Sequence, residues 1–341
     1  MKTAVIHYFT GTGNTRYAAE IIRNKLVVMG YTVSLINVEY GDGELEYSPE
    51  LNVFMFPVYG FAPALSMVQY LRNLKRVAGQ KAAVLCVCGH TGKEGGFHGQ
   101  AGHQAENLLK GKGYEVFFID FVSYPENWTQ VMNPCDPQTQ KRIFAETDNI
   151  VGAMAEKIGL LEKSINKCSI FNRSWSWLAH KSFILFGRRF MGKLFIADGN
   201  CIACNRCEKA CPAKAIRMVD GKPRWNWNCE LCNRCINICP KKSIQTSITR
   251  IVGILSTIII AIGVVVGLPS QLVNPTGTNY IDIFFKVLLV ILLNVIFSYL
   301  ADKLFFALER NAGVRRLFEL TFTKGFRRYT APGFDPTNKE L

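Results

Sequence analysis

Eight of the twelve cysteines in this 341-residue chain follow one spacing that occurs twice. Each copy reads C-x2-C-x2-C-x3-C-P, and the second copy begins 28 positions after the first. Both copies contain Cys-Asn-Arg-Cys at the centre, so the segment is an internal repeat as well as a motif. Thiolates at this spacing are ligands for iron–sulfur clusters, because a short turn can present three of them to one cluster.

In two-cluster proteins of this type, the fourth cysteine of each run ligates the other cluster. We therefore expect two [4Fe–4S] clusters held by crossed ligand sets. Set A consists of Cys201, Cys204, Cys207 and Cys239. Set B consists of Cys229, Cys232, Cys235 and Cys211. A pair of structural zinc sites is the alternative, but zinc ribbons use separate C-x2-C pairs and rarely eight cysteines in this order.

A second candidate site follows the first apolar segment of the chain. Residues 3–9 read as a buried strand, and residues 16 to about 29 have helical periodicity. Between them lie Thr10, Gly11, Thr12, Gly13, Asn14 and Thr15. Glycines allow close backbone approach, hydroxyls donate hydrogen bonds, and a helix N-terminus favours an anion, so this loop predicts a site for a terminal phosphate. The Walker A and G-x-G-x-x-G patterns are both absent.

This loop resembles the FMN-phosphate loop of flavodoxins. The strand-like segments 51–56 and 82–87 also end in loops, and in flavodoxins the corresponding loops hold the isoalloxazine ring. The residues implied are Pro57, Val58, Tyr59, Gly60 and Phe61, then Cys88, Gly89, His90 and Phe97. We expect Tyr59 to stack on the flavin with Phe97 behind it, Gly60 to supply a flexible peptide at flavin N5, and His90 to donate a proton. Closure of a hairpin is the alternative for Tyr59 and Phe61.

The other cysteines and histidines have no metal-ligand spacing. Cys86 and Cys88 alternate on one strand, so their side chains face opposite sides and do not share a metal ion. For these two, and for Cys135 and Cys168, we expect buried free thiols. The loop that contains His98 gives no ligand spacing either.

Two apolar segments predict a transmembrane hairpin. Residues 251–268 carry no charge and would form a helix of roughly 27 Å, close to a bilayer core of about 30 Å. Residues 283–301 form the second span, with Lys286 near its start and Asn294 inside it. We expect Lys286 to reach the interface or to pair with Asp282. A buried helical hairpin in a soluble domain is the alternative.

Charge predicts the orientation and the kinds of partner. Lysine and arginine precede the first span and follow the second, whereas the connecting loop 269–280 contains neither, so both termini and the redox domains are expected on the cytoplasmic side of the cell membrane. No secretory signal is present, and cysteines in cluster spacing fit a reducing compartment. The net charge of +14 indicates membrane lipid or an acidic protein partner, since no nucleic-acid-binding motif is present.

Two basic regions leave alternatives open. Between Cys201 and Lys242 there are nine Lys or Arg residues against three acids. These cations would raise the cluster potentials and attract an acidic redox partner, or they would face lipid headgroups. Residues 170–196 interleave aromatic and basic side chains, which fits either a helix in the headgroup plane or a linker packed between flavin and cluster domains.

Residues 1 to about 245 resemble the flavodoxin–ferredoxin fusion family, as does the ending Tyr329-Thr330-Ala331-Pro332. The resemblance implies FMN, two [4Fe–4S] clusters and an oxidoreductase or electron-carrier role. The expected fold class is an α/β flavodoxin-like doubly wound parallel sheet, a small α+β ferredoxin domain and a two-helix transmembrane hairpin. The expected domains are 1–160 (FMN), 161–196 (linker), 197–246 (ferredoxin), 247–305 (hairpin) and 306–341 (basic cytoplasmic tail).

Three functions follow from this organisation. The first is a membrane-anchored electron-transfer protein that links FMN and two clusters to a redox partner protein, since no nicotinamide fingerprint or substrate-chemistry motif is present. The second is a self-contained oxidoreductase that acts on a quinone or another lipophilic substrate at the hairpin. The third is a redox-sensing subunit. The donor, the acceptor, the direction of electron flow and the oligomeric state are left open by the sequence.

Overall fold

The first part of the chain forms a parallel sheet covered by helices on both faces. The structure is a computed structural model and describes residues 2–41, 48–89, 99–166, 169–268 and 279–336. The strands of this part are β1 (Lys2–Tyr8), β2 (Tyr31–Asn37), β3 (Leu51–Tyr59), β4 (Ala62–Pro63), β5 (Lys81–Gly89), β6 (Glu115–Tyr124) and β7 (Ser164–Ile165). The helices are α1 (Asn14–Val28), α2 (Leu65–Asn73), α3 (Ala101–Gly111) and α4 (Pro137–Gly159).

The strand order is β2-β1-β3-β5-β6-β7, with parallel pairing along this path and β4 antiparallel to β3. The five long strands therefore have the order 2-1-3-4-5, which is the flavodoxin-like doubly wound arrangement. The central strands are buried because α1 and α4 cover one face of the sheet while α2 and α3 cover the other. The predicted flavodoxin-like fold is confirmed.

A small second unit carries the cysteine repeat. Its elements are β8 (Phe195–Ala197), α7 (Arg206–Lys209), β9 (Ile216–Val219), β10 (Lys222–Trp225), α8 (Arg234–Ile238) and β11 (Ile244–Thr246). β8 pairs with β11, and β9 pairs with β10, both antiparallel. The repeat extends to the backbone, because left-handed residues recur at equivalent positions of the two copies. These pairs are Ala203 with Leu231, Asn205 with Asn233, and Lys214 with Lys242.

A helical segment connects the two units. It consists of α5 (Ile170–Ser182), a π-helical turn (Phe183–Gly187) and α6 (Arg188–Lys193). Its inner face packs between the units, since Phe183 lies over Gly60 and Gly192 lies against Cys229. Its outer face exposes Phe171 and Trp175. The inner face therefore has the contacts of a packed linker, and the outer face is an exposed aromatic surface.

The hairpin consists of α9 (Ile248–Val266) and α10 (Asn279–Leu308), each long and apolar enough to cross a membrane. Polar contacts join the helices, because Thr257 Oγ1 lies 3.0 Å from Asn294 Oδ1 and 2.9 Å from Ser298 Oγ. The expected pairing of Lys286 with Asp282 is present at 2.9 Å. The second helix extends beyond the predicted residues 283–301 at both ends.

The chain returns to the parallel sheet after the hairpin. A short helix, α11 (Ala312–Phe318), precedes an irregular segment in which Tyr329 and Ala331 are each 2% exposed. Both residues belong to the core that α1 and α4 form on the sheet. The part of the predicted tail around Tyr329 and Ala331 is therefore packed against the flavodoxin-like unit.

Candidate cofactor-binding site

The predicted phosphate loop, residues 10–15, joins β1 to α1 and is buried along its whole length. Gly13 adopts a left-handed conformation with φ of 108°, and its N–H donates to Thr10 Oγ1 at 3.0 Å. The first amides of a helix have no intrahelical acceptor, so those of α1 are free to bind an anion. The loop lies at the switch point between β1 and β3, where doubly wound sheets bind ligands.

Residues from distant parts of the chain enclose this loop. Asn127 Nδ2 donates to Thr12 Oγ1 at 2.7 Å, and the Ala331 N–H donates to the Thr12 carbonyl at 2.9 Å. The Tyr329 hydroxyl donates to Asn14 Oδ1. A Cβ on Gly13 would lie 2.6 Å from that of Phe334. Sequence reasoning did not assign these enclosing residues to the site. The only sequence signal for them was the resemblance of residues 329–332 to the fusion family.

Tyr59 occupies the space above the phosphate loop. Its hydroxyl is buried and has no hydrogen-bond partner among the described residues, and a Cβ on Gly11 would collide with it. Burial raises the pKa of Tyr59 well above its ordinary value, so the hydroxyl stays protonated and can donate a hydrogen bond. The hydroxyl oxygen lies beside Gly11 of the phosphate loop, which is also close to the backbone of Cys232. The stacking of Tyr59 on the flavin stays a prediction.

The peptide after Tyr59 is held by the connecting helices. Gly60 and Phe61 are both left-handed, with φ of 55° and 67°. The ring of Phe183 lies where a side chain on Gly60 would be, so only glycine fits there. His180 hydrogen-bonds the backbone of Gly60, and burial lowers the pKa of this histidine. Pro57 and Val58 precede the turn within β3.

The third predicted loop is only partly described. Cys88 and Gly89 end β5, and burial raises the pKa of the Cys88 thiol to about 12, so that thiol is neutral. His90, Phe97 and His98 lie outside the described residues, as does Cys168. Cys86 and Cys88 are buried, as expected.

Cys135 is only partly buried, so the expectation of a buried thiol was wrong for that residue. It directly precedes Asp136, the N-cap of α4, and the start of a surface helix is open to solvent.

These loops fit a phosphate-bearing flavin. They offer free helix amides, threonine hydroxyls and a buried tyrosine hydroxyl without a partner among the described residues. Gly11 and Gly13 lack the side chains that would fill the space between this loop and its surroundings. The buried guanidinium of Arg234 holds the loop from outside by donating to the carbonyls of Thr10 and Gly11.

The structure brings the eight cysteines together as two groups. One cavity is lined by all four cysteines of set A, and another by all four of set B. The thiols that act electrostatically on Cys207 are those of Cys239, Cys201 and Cys204, so the crossed grouping is present. No three potential ligands among the described residues converge on a single ion. A cubane places its thiolates on four different irons, so it does not require such convergence. The ligand assignment itself stays a prediction.

The two sets differ in burial. In set B, Cys229 and Cys235 are each 8% exposed, whereas Cys204 of set A is exposed. Burial raises the pKa of both Cys207 and Cys229 to about 12. These thiols are therefore neutral until iron binds, and cluster assembly must release their protons.

Arg234 joins set B to the phosphate loop. Its guanidinium donates to the carbonyls of Gly11 at 2.8 Å and Thr10 at 2.5 Å, and to Glu39 Oε2 at 2.8 Å. The side chains of Arg234 and Glu39 are 3% and 5% exposed. Arg234 is the arginine of the second Cys-Asn-Arg-Cys, between Cys232 and Cys235. One buried side chain therefore contacts both candidate cofactor sites.

Further polar contacts fix the same interface. Thr129 Oγ1 donates to Asn237 Oδ1 at 2.7 Å, and the Gln130 N–H donates to Asn233 Oδ1 at 3.2 Å. Glu230 accepts from the Ser66 N–H at 2.6 Å. Sequence reasoning did not find these contacts, because each of them joins residues that are far apart in the chain.

The comparison with protein families identifies the second unit. A family described as "4Fe-4S dicluster domain" matches residues 193–240. This chain is a flavodoxin-like domain fused to a 4Fe–4S dicluster domain. The strand order establishes the first domain, and the family match establishes the second. The fusion also carries two apolar helices, each long enough to cross a membrane.

Three similar solved structures each cover just under half of this chain. Rubredoxin oxygen:oxidoreductase from Desulfovibrio gigas is 14% identical with a TM-score of 0.35, over 47% of this chain and 36% of that one. This chain thus spans about a third of that protein. A short-chain flavodoxin associated with a PDU bacterial microcompartment is 16% identical with a TM-score of 0.34, over 46% and 97%. Flavodoxin 2 from Bacillus cereus is 20% identical with a TM-score of 0.31, over 46% and 99%. No curated protein sequence matches the chain.

Proposed function

We propose that this fusion is a membrane-anchored electron-transfer protein that links FMN, through two [4Fe–4S] clusters, to a redox partner protein. The observation that carries the proposal is the buried contact of Arg234 with both the phosphate loop and set B. When bound, FMN would exchange one or two electrons, and each cluster one. The residues of the interface hold the two sites at one fixed separation.

The chain's own residues bind and enclose the phosphate. The amides of α1 and the hydroxyls of Thr10 and Thr12 face the anion, and the protonated Tyr59 hydroxyl supplies a further donor. Phe334 and Tyr329 close the loop from the other side and keep water out. Because the loop is buried, polar contacts inside the site are stronger than the same contacts in water.

The relative burial of the two cysteine sets supports an order of electron transfer. Set B faces the flavodoxin-like domain, and set A lies nearer to solvent, with Cys204 exposed and Ile202 57% exposed beside it. Arg206 and Lys241 line the set A cavity. An exposed apolar side chain with cations around it suits an acidic protein partner, so we place partner docking at set A.

The hairpin supports the membrane anchor. α9 and α10 expose large apolar side chains over much of their length, including Ile259 at 70% and Phe284 at 64%. A soluble monomer rarely exposes an apolar patch of this extent. Arginine and lysine concentrate at the ends of the helices nearest the dicluster domain, so we place that domain and both termini in the cytoplasm.

The proposal is tested by intramolecular transfer in lipid nanodiscs. The protein is reconstituted with FMN, iron and sulfide, the flavin is photoreduced, and cluster reduction is followed by electron paramagnetic resonance. We expect transfer at a rate independent of protein concentration. Oxidised clusters beside a reduced flavin, or a rate proportional to protein concentration, would contradict the proposal.

A glycine pair provides the matched control. Gly13→Ala places a Cβ against Phe334 at a left-handed position, so FMN should be lost while the iron content is kept. Gly79 is also left-handed, but a Cβ on it would meet no described atom within 4 Å, so Gly79→Ala should retain FMN. Equal FMN occupancy in the two variants would show that residues 10–15 do not hold the phosphate.

A further inference from the structure

A cavity lies between the dicluster domain and the hairpin. It is at the end of the hairpin where α10 leads into α11. One wall comes from the dicluster domain and includes Phe195 and Trp225. The other wall includes Asp302 and Phe306 of α10 and Glu309, which directly follows that helix. We call it the junction cavity. Neither FMN nor the clusters account for it, since none of the eight cysteines and none of residues 10–15 line it.

The junction cavity shares walls with both cysteine sets. Phe195 and Trp225 also line the set B cavity, and Pro223 also lines the set A cavity. Trp225 and Cys235 belong to the same buried core of the dicluster domain. A molecule in the junction cavity would therefore be separated from each cluster by a single layer of side chains. This position suits a ligand that exchanges electrons.

The charges of the cavity favour a ligand that accepts hydrogen bonds. Arg250 Nε donates to Glu309 Oε1 at 2.8 Å, and Lys193 Nζ lies 2.6 Å from Asp302 Oδ2, so both carboxylates are already paired. Arg224 pairs with Glu309 through Nη1 and lies over the ring of Phe306, whereas its Nε is buried and has no hydrogen-bond partner among the described residues. Four further cations complete the lining: Arg217, Lys222, Lys303 and Arg315. Donors therefore exceed acceptors.

The walls of the junction cavity favour two further properties in a ligand. The aromatic rings of Trp225, Phe195 and Phe306 form apolar walls that suit a flat ring. Phe306 belongs to α10, which carries the second apolar span, so a ligand with an apolar tail could extend along the hairpin into lipid. A planar, lipophilic, redox-active molecule with carbonyl acceptors meets all of these conditions.

We propose that the junction cavity binds the headgroup of a membrane quinone. The inference rests on the proposed function, because the reduced clusters are the reductant. The quinone takes up two electrons from the clusters and two protons from water, its two carbonyl oxygens become hydroxyls, and the quinol leaves without any bond to the protein. Arg224 positions the headgroup through its free Nε–H, and Phe306 holds the Arg224 guanidinium over its ring.

The test uses the full chain with both cofactors in nanodiscs and decylubiquinone as the probe. Val219 lines the cavity, so Val219→Trp should fill it and slow reoxidation by quinone about tenfold or more. Ile259→Trp introduces the same ring on the exposed surface of α9 and should leave the rate unchanged. Retention of quinone by the oxidised protein after gel filtration gives a second readout and should fall in Val219→Trp alone.

Controls separate the possible failures. Reoxidation by ferricyanide and the cluster spectra should be the same in both variants, which shows that the dicluster domain is intact. Should Val219→Trp misfold, Phe306→Leu replaces it, with Phe284→Leu as the lipid-facing control. Equal quinone rates in cavity and control variants would overturn the inference, as would binding of phosphatidylglycerol without quinone. Clusters that accept no electrons from the flavin would instead contradict the proposed function.

Discussion

Replacement of Arg234 by methionine tests the fixed contact between the two cofactor sites. Methionine retains much of the apolar stem but removes the guanidinium, so the Glu39 carboxylate, 5% exposed, is left buried without a cation. The carbonyls of Thr10 and Gly11 lose charged hydrogen-bond donors in the same change. The loop that binds the phosphate and the domain interface should therefore loosen together.

The magnitude follows from the burial of this pair. Removing one partner of a buried ion pair costs about 3–5 kcal/mol, because an uncompensated charge is left in the interior. A change of that size should lower the melting temperature by roughly 10 °C for a unit of 150–250 residues. Adding Glu39→Gln removes the buried charge and should recover about half of the loss, so the two substitutions should be strongly non-additive.

The repeat supplies the matched control. Arg206 occupies the equivalent position in the first Cys-Asn-Arg-Cys, but its side chain is 40% exposed and pairs with Asp335 at 3.3 Å. Exposed pairs contribute about 0–1 kcal/mol, so Arg206→Met should change stability little. Thermal unfolding and FMN titration in detergent measure both variants. Equal melting temperatures and equal FMN affinities for Arg234→Met and Arg206→Met would refute the reasoning.

Three further predictions concern the clusters, the core and the hairpin. Cys239→Ser should remove the cluster of set A and Cys211→Ser that of set B, each lowering the iron content from about eight to about four per chain; loss of the same spectral signal in both would contradict the crossed sets. His7 is fully buried and its pKa is lowered to about 4. The unfolded chain binds this proton near pH 6.5 and the folded chain only near pH 4, so stability should fall by up to about 3 kcal/mol as pH decreases across that window. His7→Gln should remove this component of the pH dependence. A melting temperature that falls with decreasing pH as steeply in His7→Gln as in the unsubstituted protein would argue against this assignment. Gly253→Leu should separate the hairpin helices because a side chain there meets an aromatic ring of α10, whereas Gly263→Leu meets open space; cysteine crosslinking across the hairpin in nanodiscs measures the difference.

Much of the local structure could be predicted from the sequence. Apolar runs predicted β1, β3 and β5 to within a few residues, and helical periodicity predicted α1. These predictions succeeded because strand and helix periodicity reflect burial of each segment on the sheet. The end of α10 and the packing of the final segment were not predicted, since they depend on contacts between residues far apart in the chain.

The sequence by itself determined the prediction that the eight cysteines bind iron–sulfur clusters, because their spacing is typical of such ligands, and the family match to residues 193–240 agrees with it. The repeated Cys-Asn-Arg-Cys also forms the same left-handed turn at Asn205 and Asn233. The sequence could not show which copy of the cysteine repeat is buried, because the two local sequences are alike. Only the tertiary structure decided that Arg234 is buried against the phosphate loop while Arg206 faces solvent. Burial depends on what packs against a segment, and here the first repeat meets solvent while the second meets the flavodoxin-like domain.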